Sequence, residues 1–264
     1  MITIKEYVVP TSLDEAYELL TSKRNNVVLG GSSFLKLGSK NIGTAIDLKD
    51  INLDYIDEDD ENILIGADVS LRKLEQNNLI KSYCGGIISC AVSNIVGVQF
   101  RNGARVGGSV FSKYGFSDLI PPLLAAGAKV KLYKTGTVDL EEFLESNHEK
   151  DILIEVILKK KEAKGVYDCI RKCTGDFPVL NGAIVCEDEK YTIVIGARPQ
   201  KAIIAKRSSE VLTIEEDIEK ASDLVKEELS YGSNLRASRE YRSDMAKALV
   251  TRMYMSIGCD KDDK

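Results

Sequence analysis

The sequence predicts an α+β protein: two small lobes, residues 1–54 and 55–160, followed by a C-terminal α+β domain, residues 161–264. Three observations predict it. Apolar runs of strand length, such as Val27-Val28-Leu29, Ile63-Leu64-Ile65 and Ile152 to Leu158, alternate with stretches of helical spacing. Charge-rich punctuation falls at 57–62 and at 159–164, the latter backed by Gly165 and taken as the main domain boundary. Two of the glycine pairs, Gly30-Gly31 and Gly107-Gly108, fall on different predicted lobes.

In the first lobe, residues 3–9 read as an edge strand leading to Pro10. Ser12 with Glu15 forms a capping-box pattern, and Leu13, Ala16, Tyr17, Leu19 and Leu20 give the following helix its apolar face. Val27 to Leu29 and Ala45 to Leu48 are short strands. In the second lobe the acidic stretch 57–62 reads as an exposed hairpin or linker. Ile63 to Ala67 is a strand, and Ser70 caps a helix over Leu71 to Asn77. Helices follow near Ile87 to Ile95 and Leu119 to Ala126, with strands at Lys129 to Leu132 and Ile152 to Leu158. The last domain carries strands near 166–172, 182–186 and 191–197, then helices over 215–229 and 238–256. Ser238 caps the last of these, and Tyr241, Met245, Leu249 and Arg252/Met253 keep helical spacing. The tail, Asp260 to Lys264, is expected to be disordered.

Composition narrows the chemistry. The 264 residues carry a net charge of -5, which disfavours nucleic acid as a partner because phosphate binding needs a basic face. No apolar run approaches the roughly 20 residues that span a bilayer. Met1 to Pro10 has no apolar h-region, so a cytoplasmic protein is expected, with no membrane partner. The cysteines at 84, 90, 169, 173, 186 and 259 form no Cys-x-x-Cys pair and read as thiols outside disulfides, zinc ribbons or ferredoxin-type clusters. The only histidine, His148, sits in a polar stretch and reads as a solvated loop residue. A Ser-His-Asp triad, a Cys-His pair and a multi-histidine metal site are thereby excluded, and a bound cofactor is expected to carry any chemistry, with no catalytic side chain of the protein's own.

The first glycine segment runs Leu29-Gly30-Gly31-Ser32-Ser33-Phe34. It follows a strand, its glycines permit positive φ, and its amides and serine hydroxyls can converge on one anion. A tight strand-to-helix turn explains the same residues. The second runs Arg101 to Ser109 and contains Ala104, Arg105, Val106, Gly107 and Gly108, a further small-residue nest beside two arginines. Nine residues on, Asp118 precedes an apolar run. It suits either hydrogen bonds from ribityl or ribose hydroxyls or the N-cap of a helix. Neither segment is a G-x-G-x-x-G or Walker A motif. Two nests on two lobes suggest a dinucleotide held between them.

Four stretches in order resemble the FAD-binding subunits of molybdenum hydroxylases, the xanthine dehydrogenase and carbon monoxide dehydrogenase type. They are Leu29 to Leu35; Val98 to Ser109 running on to Ser117-Asp118-Leu119-Ile120-Pro121; Lys172-Cys173-Thr174-Gly175-Asp176-Phe177; and Asn234 to Arg242. The resemblance implies a two-lobed, vanillyl-alcohol-oxidase-like (PCMH-type) FAD-binding region with a C-terminal flavoprotein domain. It implies that Leu29 to Phe34 and Ala104 to Gly108, with Ser109 beside them, hold the FAD diphosphate. It also implies that Asp118 bonds the polyol, and that Phe177 and Lys172 approach the isoalloxazine ring. Ser109 stands where the family has asparagine, Leu29 where it has alanine, and Lys113-Tyr114-Gly115-Phe116 replaces a run of small residues and proline. The implied role is an electron relay. A molybdopterin-binding partner oxidises substrate, an iron–sulfur partner passes electrons singly, and FAD on this chain delivers them to an acceptor, NAD being expected. The alternatives are a stand-alone flavin reductase or oxidase of the same fold, and an assembly subunit without flavin.

Overall fold

The protein is described here by a computed structural model that covers residues 1–146 and 150–258. His148, Cys259 and the 260–264 tail lie outside the described residues. In chain order the strands and helices are β1 (Thr3–Val8), α1 (Leu13–Ser22), β2 (Val27–Leu29), β3 (Asn41–Asp47), β4 (Ile56–Glu58), β5 (Asn62–Gly66), α2 (Leu71–Gln76), α3 (Asn78–Ser82), α4 (Ile87–Ser93), α5 (Val98–Gly103), α6 (Val106–Phe111) and α7 (Ile120–Ala125). They continue with β6 (Lys129–Leu132), β7 (Gly136–Asp139), α8 (Leu140–Glu145), β8 (Leu153–Lys159), β9 (Ala163–Ile170), β10 (Leu180–Glu187), β11 (Lys190–Gly196), β12 (Ile203–Ile204), α9 (Lys206–Glu215), α10 (Ile218–Glu228) and α11 (Arg239–Gly258). Their tertiary contacts divide the chain into two compact units. One comprises residues 1–74, 98–112 and 128–159; the other comprises 75–97, 113–127 and 160–264.

The first unit holds two sheets. A three-stranded parallel sheet runs β1-β3-β2, with α1 packed on β3. Helix α1 starts where the capping box predicts: Ser12 Oγ accepts from the Glu15 amide at 3.2 Å, while Glu15 reaches back one residue further, to the Thr11 amide at 2.8 Å. Ala16 and Leu20 are its buried residues, so its core stripe is narrower than the expected five-residue face. The second sheet is antiparallel, ordered β4-β5-β8-β6-β7, and the acidic stretch 57–62 spans the exposed turn of its first hairpin and the strand ends beside it. Helix α6 lies against β5 and β8.

The second unit is built on an antiparallel sheet ordered β12-β11-β10-β9. Leu180, Ile184, Ile193 and Ile195 of that sheet share a core with Leu212 of α9, Val225 of α10, and Leu249, Val250 and Met253 of α11. Helix α7 packs against β10 and β11, and α4 against β9. Two expectations are corrected here. Helix α9 was not predicted, because its inward residues include Ser208 and Ser209, which break the apolar stripe; Ser209 Oγ accepts from the Ile193 amide at 2.9 Å. The buried stripe of α11 is Arg242, Ala246, Leu249, Val250, Met253 and Ile257, one residue out of phase with Tyr241 and Met245. The phase is set by Arg242, which is 1% exposed and donates to the carbonyls of Val179, Gly232 and Ala237 and to Asn234 Oδ1. A charged residue at a core position hides the pattern from hydrophobicity alone.

Candidate functional site

Both glycine segments belong to the first unit, and they meet main chain to main chain. A Cβ placed on Gly30 would lie 2.5 Å from Gly108 Cα, and one on Gly108 would lie 2.5 Å from the Gly30 carbonyl oxygen. A Cβ on Gly31 would lie 2.1 Å from the Gly103 carbonyl oxygen and 2.9 Å from Ala104 Cα. No side chain fits in this crossing, which is why small residues face each other there. Gly31 (φ 80°) and Ser32 (φ 57°) adopt left-handed backbone in the turn that follows β2. Among the described residues, the amides of Gly31, Ser32 and Ser33 donate to no carbonyl or side chain. Phe34, at the end of this turn, meets Phe100 edge-on at 6.2 Å.

The second segment differs from the expected loop: it is two short helices, α5 and α6, meeting at Ala104 and Arg105. The amides of Ala104, Val106, Gly107 and Ser109 are taken by the carbonyls of Phe100, Val69, Ala67 and Arg105. Ser109 Oγ also returns to the Arg105 carbonyl, at 2.8 Å. Four of this segment's amides are therefore already used within the chain, and Gly107 and Gly108 pack against the main chain of Ala67 and Gly30. Gly107 has helical backbone, and its missing Cβ makes room for Ala67, whose own Cβ would lie 2.7 Å away. Gly107 thus serves close approach to Ala67, and its backbone is not left-handed. Arg105 pairs with Asp68 at 3.3 Å; burial raises the Asp68 pKa, and Arg105 offsets part of that rise.

Asp118, Lys172 and Phe177 belong to the second unit. Asp118 is 6% exposed. It does not cap α7: Leu119 stands at the N-cap position, and the Ile120 amide donates to Ser117 Oγ at 3.2 Å. Asp118 faces the sheet instead. Its Oδ1 accepts from Tyr167 Oη, from Arg171 Nη2 and, at 3.4 Å, from Asn181 Nδ2. Burial first, and the Asp118 charge second, push the Tyr167 phenol well above its ordinary value. Burial opposes the charge of Arg171, but the hydrogen bond and charge of Asp118 outweigh it, so the Arg171 pKa is raised. Lys172 is exposed. Phe177 is half-buried, 4.3 Å from Phe116 and 5.1 Å below the Arg236 guanidinium, which in turn pairs with Asp176 at 2.8 Å. Phe116 also stacks on Tyr114 at 5.0 Å.

Sequence reasoning missed Tyr167, Arg171, Asn181 and Arg236. The available signal was Asp118 itself: an acid at the head of an apolar helix that becomes buried needs cationic and hydroxyl donors. Among the described residues, no cluster of His, Cys, Asp or Glu could hold a metal ion, and no helix is long and apolar enough to cross a membrane. The five described cysteines are free thiols; Cys84 alone among them is fully buried.

A side-chain-free crossing beside a turn of unpartnered amides suits a diphosphate, and comparison with known proteins bears on which. Residues 3–160 match the FAD binding domain in molybdopterin dehydrogenase, and residues 166–257 match the CO dehydrogenase flavoprotein C-terminal domain. The chain belongs to this family of FAD-binding oxidoreductase subunits, the flavoprotein component of molybdenum hydroxylase-type enzymes. It is 25% identical over 262 residues to the uncharacterized protein YgfM of Escherichia coli (strain K12), covering 95% of each chain. It is 22% identical over 274 residues to the nicotine 6-hydroxylase medium subunit of Paenarthrobacter nicotinovorans, covering 96% of each. Its fold matches a chain of the carbon monoxide dehydrogenase from Hydrogenophaga pseudoflava with a TM-score of 0.89 at 22% identity, over 96% of this chain and 97% of that one.

Proposed function

We propose that this chain carries FAD as an electron relay, taking electrons from the iron–sulfur clusters of a partner chain and passing them to a soluble acceptor, NAD. A molybdopterin-binding chain is the second partner, and the cytoplasm the compartment. The medium-subunit relative supports a multi-subunit setting. One observation carries the cofactor reading: the unpartnered amides of Gly31, Ser32 and Ser33 stand beside a crossing of glycines that excludes side chains. That arrangement fits a diphosphate, which needs close main-chain approach and several N–H donors. Leu29 to Phe34 supply the donors, and Ala104 to Ser109 supply the bare wall. Asp118 accepts from a hydroxyl of the cofactor's polyol, and Phe177 and Lys172 belong to the segment that approaches the flavin ring. FAD, when bound, supplies the coupling of one-electron to two-electron transfer. The protein's own residues bind and orient it. The domain arrangement that goes with this reading is two FAD-binding lobes, 1–54 and 55–160, and a flavoprotein domain from 161.

The test is direct. Purified protein should be yellow, or take up added FAD, with absorbance near ~450 nm. Riboflavin, which has the ring and polyol but no phosphate, should bind far more weakly. A colourless protein that ignores FAD, or one that binds riboflavin equally well, sinks the diphosphate reading. Anaerobic NADH should bleach the bound flavin; no bleaching removes NAD as the acceptor. Iron and molybdenum should copurify with the native complex, and their absence there removes the relay.

A further inference from the structure

Asp118 is nine-tenths buried, yet only one of its carboxylate oxygens is used within the chain. Three donors crowd Oδ1, namely Tyr167 Oη, Arg171 Nη2 and Asn181 Nδ2, while Oδ2 accepts no hydrogen bond among the described residues. A carboxylate has about four acceptor positions, two on each oxygen, so those of Oδ2 stay open. Arg171 is the hub of the arrangement. Its side chain is 9% exposed. Its Nη2 holds Asp118, its Nη1 donates to the Asp176 carbonyl at 2.6 Å, and its Nε donates to Cys169 Sγ at 3.1 Å. One rigid guanidinium thus ties together the end of β9, the head of α7 and the turn over 172–177. That turn is clamped from its far side by Arg236, which bonds Asp176 and covers Phe177. The planar fork can serve these three acceptors at once; a lysine ammonium on a flexible stem cannot.

We propose that Arg171 is a positioning residue for the flavin cofactor, fixing Asp118 so that Oδ2 is presented to a polyol hydroxyl. The inference rests on the FAD reading above. With Oδ1 saturated, the carboxylate is held in one orientation before ligand arrives, and binding loses little side-chain freedom.

The experiment is a double-mutant cycle on FAD affinity, measured by flavin fluorescence with the full-length apoprotein. The proteins are wild type, Arg171→Gln, Arg171→Lys, Asp118→Asn and the double variant Arg171→Gln/Asp118→Asn. Arg171→Gln should weaken FAD by about tenfold or more, the loss of one charged hydrogen bond at the site. Arg171→Lys, which keeps the charge but not the fork, should fall between it and wild type. In the Asp118→Asn background the further change from Arg171→Gln should be under about twofold, because Arg171 acts through Asp118. Independent losses that multiply would overturn the proposal, as would wild-type affinity in Arg171→Gln. ADP, which has the diphosphate but no ribityl chain, gives a second readout. Arg171→Gln should leave ADP affinity unchanged, and an equal loss for ADP would overturn the proposal. If thermal melting shows Arg171→Gln to be unfolded, Arg171→Lys carries the same cycle. If wild type itself takes up no FAD, it is the cofactor reading that fails, and this inference with it.

Discussion

At the scale of single residues, the glycines of the crossing are distinguished by what stands opposite them. Gly30 faces the main chain of Gly108 from a Cβ distance of 2.5 Å, whereas nothing lies within 4 Å of a Cβ on Gly103. Gly30→Ala should therefore lose about 1–3 kcal/mol of stability as the backbones are forced apart. Gly103→Ala should be within about 0.5 kcal/mol of wild type. Urea unfolding of the pair checks this, and a neutral Gly30→Ala would mean that the crossing is looser than described. Lys113 offers a pH test. Burial, with the Lys201 charge adding to it, pushes its pKa down to about 8 from 10.5. A lysine depressed in the folded state binds fewer protons folded than unfolded. Its charge therefore lowers stability fully below about pH 8, and that loss is relieved as pH rises to 10.5. Lys113→Gln should melt higher than wild type at pH 7, with the gap closing as pH passes through that window. A gap that widens with pH contradicts the assignment.

At the scale of elements, α11 depends on a residue that hydrophobic patterning rejects. Arg242 supplies the donors for three main-chain carbonyls, those of Val179, Gly232 and Ala237. Arg242→Met fills similar space but leaves those acceptors dry, so a loss on the order of 3 kcal/mol is expected by denaturant titration. A loss below about 1 kcal/mol would show that water replaces the guanidinium. The same element shows where reading a sequence stops. The existence of α11, its Ser238 cap and its length were all legible, because caps and spacing are local signals. Its phase was not, because it is set by carbonyls up to 63 residues away in sequence. The segment at 98–111 shows the opposite error. Its glycines suggest a loop, but here they serve close packing inside helices, a use that only the facing backbone of Ala67 and Gly30 reveals.

At the scale of the whole molecule, the C-terminal sheet does not complete its own core. Helix α7, from residues 113–127, packs on β10 and β11, and its Ile120, Leu123 and Leu124 are 1–3% exposed. A fragment of residues 160–264 expressed alone should therefore lack fixed packing, showing strand and helix in far-UV circular dichroism but poor amide dispersion by NMR. Well-dispersed spectra would show that α7 is dispensable. The class of protein was legible from four short stretches in order, since their glycines, acids and spacing are local signals. The network behind Asp118 was not, because Tyr167, Arg171 and Asn181 come from two strand ends that only folding brings to it.

The meeting of Gly30 with Gly108 has a consequence for how this protein can change over time. When two bulky side chains collide, a smaller neighbour can restore the fit. Here both partners are already the smallest residue there is, so damage at one has no cure at the other. The two positions, 78 apart along the chain, are bound to a shared fate, and laboratory evolution should recover only true revertants at either.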